Sequence, residues 1–187
     1  MDRMFAVSGW RGFTLVEMLV VLLVAALTLA VAAPLLTNIA LRARVGVEAT
    51  RLLLAINLAR SEAVLRGTRV TLCPSSVARD GEATCAGHFA QGWMIFANAD
   101  RDVSADAERD ELLHVFPAVP SGFSVRNMAG TRNADRSINF LPDGTSHSNQ
   151  TLMVCPPAGS AVTPRGVVIS IAGRARLREG NAPCMGV

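Results

Sequence analysis

The sequence predicts an α+β fold in which one long N-terminal helix leads into an antiparallel β-sheet domain. Residues 13–67 hold an apolar run followed by helical periodicity, whereas residues 68–187 alternate short β-rich segments with turn residues. A helix followed by a run of strands is typical of α+β architecture. With 187 residues, 50% of them hydrophobic, the chain has room for one domain and an appendage.

The helix begins with a long apolar run. From Phe13 to Leu36 only Glu17 is charged. At about 1.5 Å per residue, this run is long enough to cross a hydrocarbon core of about 30 Å, with a kink at Pro34. A cleaved signal peptide would have a shorter apolar region, and a plain single-pass anchor would leave Glu17 unexplained. An ionisable group in a membrane span indicates function and needs a partner.

The residues around Glu17 resemble a known signal. The stretch from Gly12 to Glu17, GFTLVE, is similar to the type IV prepilin signal. The resemblance implies that residues 1–12 are a leader removed after Gly12 by a prepilin peptidase, and that Phe13 becomes the N-methylated terminus. It also implies a partner for Glu17, the N-terminal amine of a neighbouring pilin. A carboxylate and an ammonium attract strongly in a low-dielectric environment.

The same resemblance implies where the protein acts. It predicts a single-pass protein of the inner membrane lipid bilayer, with transmembrane residues 13–36 and a periplasmic C-terminal part. Its partners would be other major and minor pilins in a pilus, near the tip. Charge decides the orientation only weakly, because Arg3 and Arg11 precede the run and Arg42 and Arg44 follow it.

Four cysteines follow the apolar run, an even number that predicts two disulfides in an exported domain. Three pairings are possible. We prefer Cys73–Cys85, which closes a short loop, and Cys155–Cys184, which ties down the C-terminal tail. Zinc is disfavoured because Cys85 and His88 form the only pair at ligand-like spacing.

The periplasmic half of the helix is expected over residues 37–67. Within it Leu52, Ile56, Ala59 and Ala63 recur at helical spacing, and Gly67 is a plausible end point.

The β-rich domain, residues 68–187, reads as a meander of about seven strands. The predicted strands are 68–73, 92–97, 111–116, 123–126, 137–142, 151–155 and 166–177. The order of ARSEAVLRGTRVTLC, GWMIF with an acidic loop, INFLPDGT, TLMVC and GRAR resembles the GspH/FimT branch of minor pilins and pseudopilins. This resemblance covers nearly the whole chain, from Arg11 to Cys184.

The sequence offers no cofactor site and no catalytic set. Asn98, Asp100 and Asp102 alternate as at the start of a calcium loop, but Val103 occupies the place of the turn glycine and no carboxylate follows at the twelfth position. A solvated loop over residues 98–111 is the preferred interpretation. The three histidines, His88, His114 and His147, lie in different segments, so we predict that the protein is not an enzyme.

The last predicted strand carries a row of arginines. If 166–177 is one strand, alternate residues face the core and the others face outward. The inward set is Val167, Ile169, Ile171, Ala175 and Leu177; the outward set includes Arg174, Arg176 and Arg178. Arginines about 6.5–7 Å apart can follow a phosphate backbone. We expect Arg165 to extend the patch and Gly173, which has no side chain, to permit a bulge or a close approach there.

Two functions fit this row. Gly173-Arg174-Ala175-Arg176 matches the G-R-x-R motif of FimT-type minor pilins, and the resemblance implies binding of double-stranded DNA in natural transformation. Alternatively the chain is a minor pilin, or a type II secretion pseudopilin, that acts in filament tip assembly without DNA. In that case the arginines are a charged sheet edge that prevents aggregation. The net charge of +3 does not by itself indicate nucleic acid.

Overall fold

The computed structural model describes residues 12–98, 110–180 and 184, apart from the side chains of residues 31 and 33–35. The chain divides into two units, Met1–Ile39 and Ala40–Val187. The long helix α1 spans Leu15–Arg66, close to the extent expected from the sequence. Gly67 follows it at φ 64°, a left-handed conformation that commonly ends helices and that glycine adopts without a steric penalty.

The start of α1 has a local explanation in Thr14-Leu15-Val16-Glu17. The hydroxyl of Thr14 accepts a hydrogen bond from the Glu17 backbone N–H at 3.2 Å. This is the arrangement of an N-cap threonine, three residues before a glutamate, that satisfies a donor left free at a helix start.

In the first unit, the described side chains of residues 13–30 are exposed, and nearly all of them are apolar. Of the helices in the described part of the chain, none has the combination of length and hydropathy required to cross a membrane. The boundaries expected from the sequence at 12, 36 and 67, and the membrane span over 13–36, stay predictions.

The described residues of the second unit form eight strands in two antiparallel four-stranded sheets. The strands are β1 Val70–Pro74, β2 Gly92–Ala97, β3 Glu111–Pro117, β4 Ser124–Arg126, β5 Ile138–Phe140, β6 Gln150–Cys155, β7 Arg165–Ile169 and β8 Ala175–Glu179. The first sheet has the order β3-β2-β1-β5 and the second the order β4-β6-β7-β8. The chain passes from the first sheet to the second at β4, returns at β5 and leaves again at β6, so the predicted simple meander is wrong. A short helix α2, Val77–Asp80, follows β1.

One core joins α1 to both sheets. The predicted stripe of Leu52, Ile56, Ala59 and Ala63 is completely buried. It belongs to the same cluster as side chains of both sheets, among them Val70, Trp93, Phe140, Leu152 and Ile169. A stripe recurring every three or four residues on a helix forms a continuous apolar face, which here is covered by the β-sheet domain.

Two arginines of α1 reach beyond this core and bind the loops at its margins. Arg51 donates to the carbonyl of Pro117 at 2.9 Å, and its guanidinium lies 4.5 Å from the ring centre of Trp93. Burial lowers the pKa of Arg51, and Glu48 at 3.1 Å partly opposes that shift. Arg60 donates its Nε–H to the carbonyl of Gly144 at 2.9 Å, in the turn between β5 and β6.

The predicted strand over 166–177 is a hairpin instead. Between β7 and β8 the chain turns back on itself: the N–H of Gly173 donates to Ser170 O, and the N–H of Ser170 donates to Arg174 O. Gly173 has φ 72°, which breaks an extended strand. Ile171 was predicted to face inward but lies on this turn with 60% of its surface exposed. The other four inward residues pack on the core as predicted, because Ile169 pairs with Ala175 and Val167 with Leu177.

The turn between β7 and β8 is fixed against the turn between β5 and β6. The N–H of Ser146 donates to Ile171 O at 2.9 Å, and the N–H of Ile171 donates to Asn149 Oδ1 at 2.7 Å. A Cβ added at Gly173 would overlap the carbonyl oxygen of Gly144 and lie 3.0 Å from Arg60 Nε. Gly173 therefore permits a close approach of the protein's own backbone at Gly144, and its expected part in binding DNA stays a prediction.

The four cysteines form the two preferred disulfides. Cys73 and Cys85 have Cα atoms 5.5 Å apart, and Cys155 and Cys184 have Cα atoms 5.9 Å apart. The first links the end of β1 to the loop after α2, and the second ties residue 184 to the end of β6. Cys85 is therefore not available as a zinc ligand.

The contact between the two turns predicts a large effect for Gly173→Ala. The matched control is Gly159→Ala, because Gly159 has a similar φ of 77° but nothing within 4 Å of an added Cβ. The left-handed backbone alone should cost about 1–2 kcal/mol at either site. Overlap with Gly144 should cost Gly173→Ala about 1–3 kcal/mol more. If Gly173→Ala and Gly159→Ala lowered the free energy of unfolding equally, as measured by urea denaturation, the tight contact would be contradicted.

The disulfides predict that unreduced protein has no reactive thiol. Peptide mapping should join Cys73 to Cys85 and Cys155 to Cys184. Replacing Cys155 and Cys184 together by serine should lower the free energy of unfolding by about 2–4 kcal/mol, because the unfolded chain gains freedom. A peptide joining Cys73 to the C-terminal tail would show that the pairing is wrong.

Candidate nucleic-acid interface

The arginine row lies on β8 and on the turn before it. Arg176 and Arg178 alternate with the core-facing residues of β8 and stand opposite Val168 and Gly166 of β7. Both arginines are exposed, on the face of the second sheet that points away from the core. Arg174 is exposed too, but it ends the turn, where its carbonyl accepts hydrogen bonds from the N–H and the hydroxyl of Ser170. The predicted row thus comprises two strand positions and one turn position.

These guanidinium groups are not committed to other side chains. Within the described part of the chain, the ion pairs involve Arg51, Arg66 and Arg79, and none involves Arg174, Arg176 or Arg178. Strand geometry places Arg176 and Arg178 about 6.5–7 Å apart on the same side. The arrangement offers charge-assisted, bidentate hydrogen bonds to successive oxyanions.

Arg165 does not extend this surface. It pairs with Glu179 across the β7–β8 ladder and shares its parity with the core-facing Val167. Its Nη1 lies 3.9 Å from the position of a Cβ added at Gly46 of α1. The expectation that Arg165 adds to the patch is wrong. Its cross-strand partner Glu179 lies an odd number of residues from Arg176 and Arg178, and residues an odd number apart on a strand face opposite sides of the sheet.

Two arginines that the sequence analysis did not single out lie near the row. Arg132 and Arg136 belong to the connection 127–137 between β4 and β5, here called the β4–β5 loop, and both are exposed. Together with Arg176 they line an open groove of about 580 Å³. Their spacing in TRNADRS, with Asp135 between them, gave no strand or helix pattern that would place them on this face. The pairing of β4 with β6 puts β4 at the edge of the second sheet opposite β8, and the groove lies between these two edges.

A smaller groove continues along the same face. It has a volume of about 240 Å³ and is lined by residues that include Met128, Met153, Gly166 and Arg178. Met128 is 65% exposed at the border of both grooves. The outer face of the second sheet is therefore concave, and its lining combines apolar and neutral groups with arginines and two carboxylates, Asp135 and Glu179.

The remaining candidate residues belong to other segments of the chain. Gly12 is exposed, Phe13 is 76% exposed, and Glu17 is exposed in the first turn of α1. Residues 1–11 of the predicted leader lie outside the described residues, and so do Asp100 and Asp102 of the acidic loop. Asn98 is buried and its amide donates to the hydroxyl of Thr71 at 3.2 Å.

The structure does not assemble the histidines into a site. His114 and His147 are exposed on separate elements, and His88 caps the short 3₁₀ turn Phe89–Gln91. Over the residues described, no three His, Cys, Asp or Glu side chains are arranged to hold a metal ion.

The fold is shared with two pilus and secretion proteins of known structure. Type IV minor pilin FimU of Pseudomonas aeruginosa aligns with a TM-score of 0.52 and 19% identity, covering 77% of this chain and 97% of that one. Minor pseudopilin EpsH of the Vibrio cholerae type 2 secretion system gives a TM-score of 0.51 and 14% identity, covering 74% and 98%. At these identities the likeness concerns the fold. No curated protein sequence matches the chain.

Two family models match the sequence itself. Residues 11–33 match the prokaryotic N-terminal methylation motif, which contains Gly12, Phe13 and Glu17. Residues 48–173 match the family described as type II transport protein GspH, two thirds of the chain. This match ends at Gly173, immediately before the arginines of β8. The helix, the two sheets and both matches agree: the chain belongs to the GspH family and is a type IV minor pilin or pseudopilin of the GspH/FimT kind.

Proposed function

We propose that this chain is a minor type IV pilin that binds double-stranded DNA through the arginines of β8 during DNA uptake in natural transformation. The observation that carries the proposal is the set of Arg174, Arg176 and Arg178, all exposed and without an ion pair among the described residues. DNA presents a regular line of phosphates, and each arginine that neutralises one releases counterions. Because phosphate contacts do not read bases, the binding is non-specific in sequence.

The turn before β8 supports this proposal because it holds the arginines in place. Ser170, Gly173 and Arg174 are joined by backbone hydrogen bonds, and the turn is held to residues 146 and 149. A strand on a fixed hairpin loses less conformational entropy on binding than a flexible basic tail does.

A second candidate is assembly at a filament tip, in a type IV pilus or in a type II secretion pseudopilus, without DNA. It is favoured by the first unit, in which the helix exposes apolar side chains around its circumference together with Glu17. A helix that is apolar on all sides is suited to a bilayer or to the interior of a larger assembly. We propose that this segment anchors the protein in the inner membrane before it joins other pilins, and that Glu17 pairs with a neighbour's N-terminal amine. The two functions are compatible.

The DNA proposal is tested by Arg174→Gln with Arg176→Gln in the full-length protein in detergent micelles. Wild-type binding of a short duplex should weaken with salt, with a slope of log K against log salt of roughly −3 or steeper, at about −0.9 per phosphate contact. The double variant should lose most binding, and its slope should be less steep by about 2. Fluorescence anisotropy over a salt series measures both quantities, and transformation frequency should fall in parallel.

The control is Arg44→Gln with Arg79→Gln, which makes the same change in net charge at exposed positions away from β8. Thermal unfolding of both double variants should stay near that of the wild type, since surface substitutions usually cost under about 0.5 kcal/mol. Equal DNA binding by the β8 variant and the wild type would eliminate DNA capture by β8 and leave the assembly function.

The assembly role is tested by Glu17→Leu. We expect normal membrane insertion and cleavage after Gly12, but less of the protein in sheared filaments, because the charge pair between subunits is missing. Immunoblotting of the filament and membrane fractions measures the ratio. Glu17→Gln, which keeps the shape and removes the charge, should behave similarly. Wild-type incorporation of both variants would argue against the pair.

A further inference from the structure

The larger groove on the outer face of the second sheet has two rims of different origin. One rim is the β7–β8 hairpin, which contributes Val168 and Arg176. The other is the β4–β5 loop, which contributes Arg132 and Arg136. Thr151 of β6 pairs with Val168 and lies in the floor between them. Arginines therefore face the groove from two separate segments, about forty residues apart in the sequence.

The β4–β5 loop is held in a defined conformation. The side-chain oxygen of Asn127 accepts hydrogen bonds from the N–H groups of Thr131 and Arg132 at 3.0 and 3.3 Å. The buried Arg126 donates to the carbonyl of Gly130 at 3.4 Å. At the other end of the loop, Gln150 of β6 donates to the carbonyl of Arg136 at 3.2 Å. These bonds fix the backbone from which Arg132 and Arg136 project.

The charge of the groove is positive. Its lining contains three arginines, Arg132, Arg136 and Arg176, against one carboxylate, Asp135. Among the described residues, none of these four takes part in an ion pair. Several like charges around a concavity produce a local potential that attracts a polyanion.

The neutral lining is suited to a ligand without base-specific recognition. Four amide side chains line the groove, and three of them already make hydrogen bonds within the protein: Asn127 to the loop, Asn149 to Ile171 N–H, and Gln150 to Arg136 O. The exposed side chain of Met128 and the side chains of Thr151 and Val168 offer apolar surface. Deoxyribose faces can lie on such a surface while guanidinium groups contact the phosphates.

We infer that this groove seats one phosphodiester strand of the bound DNA, with Arg132 and Arg136 contacting phosphates from one side and Arg176 from the other. The inference rests on the proposed function and adds to it the binding groove and its second arginine rim. The groove volume of about 580 Å³ lies within the range of known ligand sites, so the groove has room for a short segment of one strand. Arg178, in the smaller groove on the same face, continues the line.

The first test compares Arg132→Gln and Arg136→Gln with the control Arg79→Gln, each in the full-length protein in detergent micelles. Arg79 lies on α2, in the loop closed by Cys73 and Cys85, and is exposed. Each groove variant should weaken duplex binding about five- to tenfold at about 0.1 M salt and reduce the salt slope by about 0.9. Arg79→Gln should leave the affinity and the slope unchanged.

The second test looks for tighter binding, which a damaged fold would not produce. Asp135→Asn removes the one carboxylate of the groove and should strengthen duplex binding by about two- to threefold at low salt. Glu82→Gln changes the net charge equally, at an exposed position in the Cys73–Cys85 loop, and should have no effect. Equal duplex affinities for Asp135→Asn and Glu82→Gln would overturn the inference.

The outcomes separate this inference from the proposed function. If the β8 double variant loses binding while Arg132→Gln and Arg136→Gln bind like the wild type, DNA binding stands and the groove inference falls. If no arginine variant loses binding, both fall. Competition with polyglutamate identifies the ligand. If polyglutamate displaced labelled duplex as effectively as unlabelled duplex does, the groove would be a general anion-binding surface, and the assignment to DNA would be overturned.

Discussion

The contact between two turns, at Gly144 and Gly173, holds the β7–β8 hairpin, and with it the arginine row, in place. Arg60 of α1 donates to the carbonyl of Gly144, and the backbone of Gly173 lies against that same carbonyl. One carbonyl oxygen thus joins the helix, the β5–β6 turn of the first sheet and the hairpin of the second sheet. Arg174, the first arginine of the row, is the next residue. Its backbone position follows from a packing contact, so the glycine of the G-R-x-R motif has a structural role independent of any ligand.

The support of that turn is electrostatic as well as steric. Asp143 accepts hydrogen bonds from the N–H and the hydroxyl of Thr145, which lowers the pKa of the Asp143 carboxyl below its usual value. A carboxyl with a lowered pKa in the folded protein contributes stability above its unfolded pKa, and this contribution is lost as the pH falls through the folded pKa. The hydrogen bonds between Asp143 and Thr145 therefore stabilise the β5–β6 turn at neutral pH.

The sequence predicted the α+β class, the end of α1 at Gly67, the buried stripe of the helix and both disulfides, because each depends on local spacing or on a small number of alternatives. The hairpin at 170–174 was missed because Val, Ile and Ser continued the alternation through a turn that only Gly173 indicated. A run of twelve residues is long for a strand, and its isolated glycine was the available signal. Arg132 and Arg136 could not be found in this way, since their position across the groove from β8 depends on the strand order β4-β6-β7-β8. The error at Arg165 had a different origin: its position already gave it the parity of the core-facing Val167, both in the predicted strand and in β7.

The Cys155–Cys184 disulfide encloses the strands that carry the arginine row. Both β7 and β8 lie between the two cysteines, so the bond closes a covalent loop around the whole hairpin. Disulfides form in oxidising compartments and are rare in the reducing cytoplasm. β8 is the edge strand of its sheet, and among the described residues its one neighbouring strand is β7. The arginine strand therefore gains its last covalent anchor only in an oxidising compartment, once the disulfide has formed.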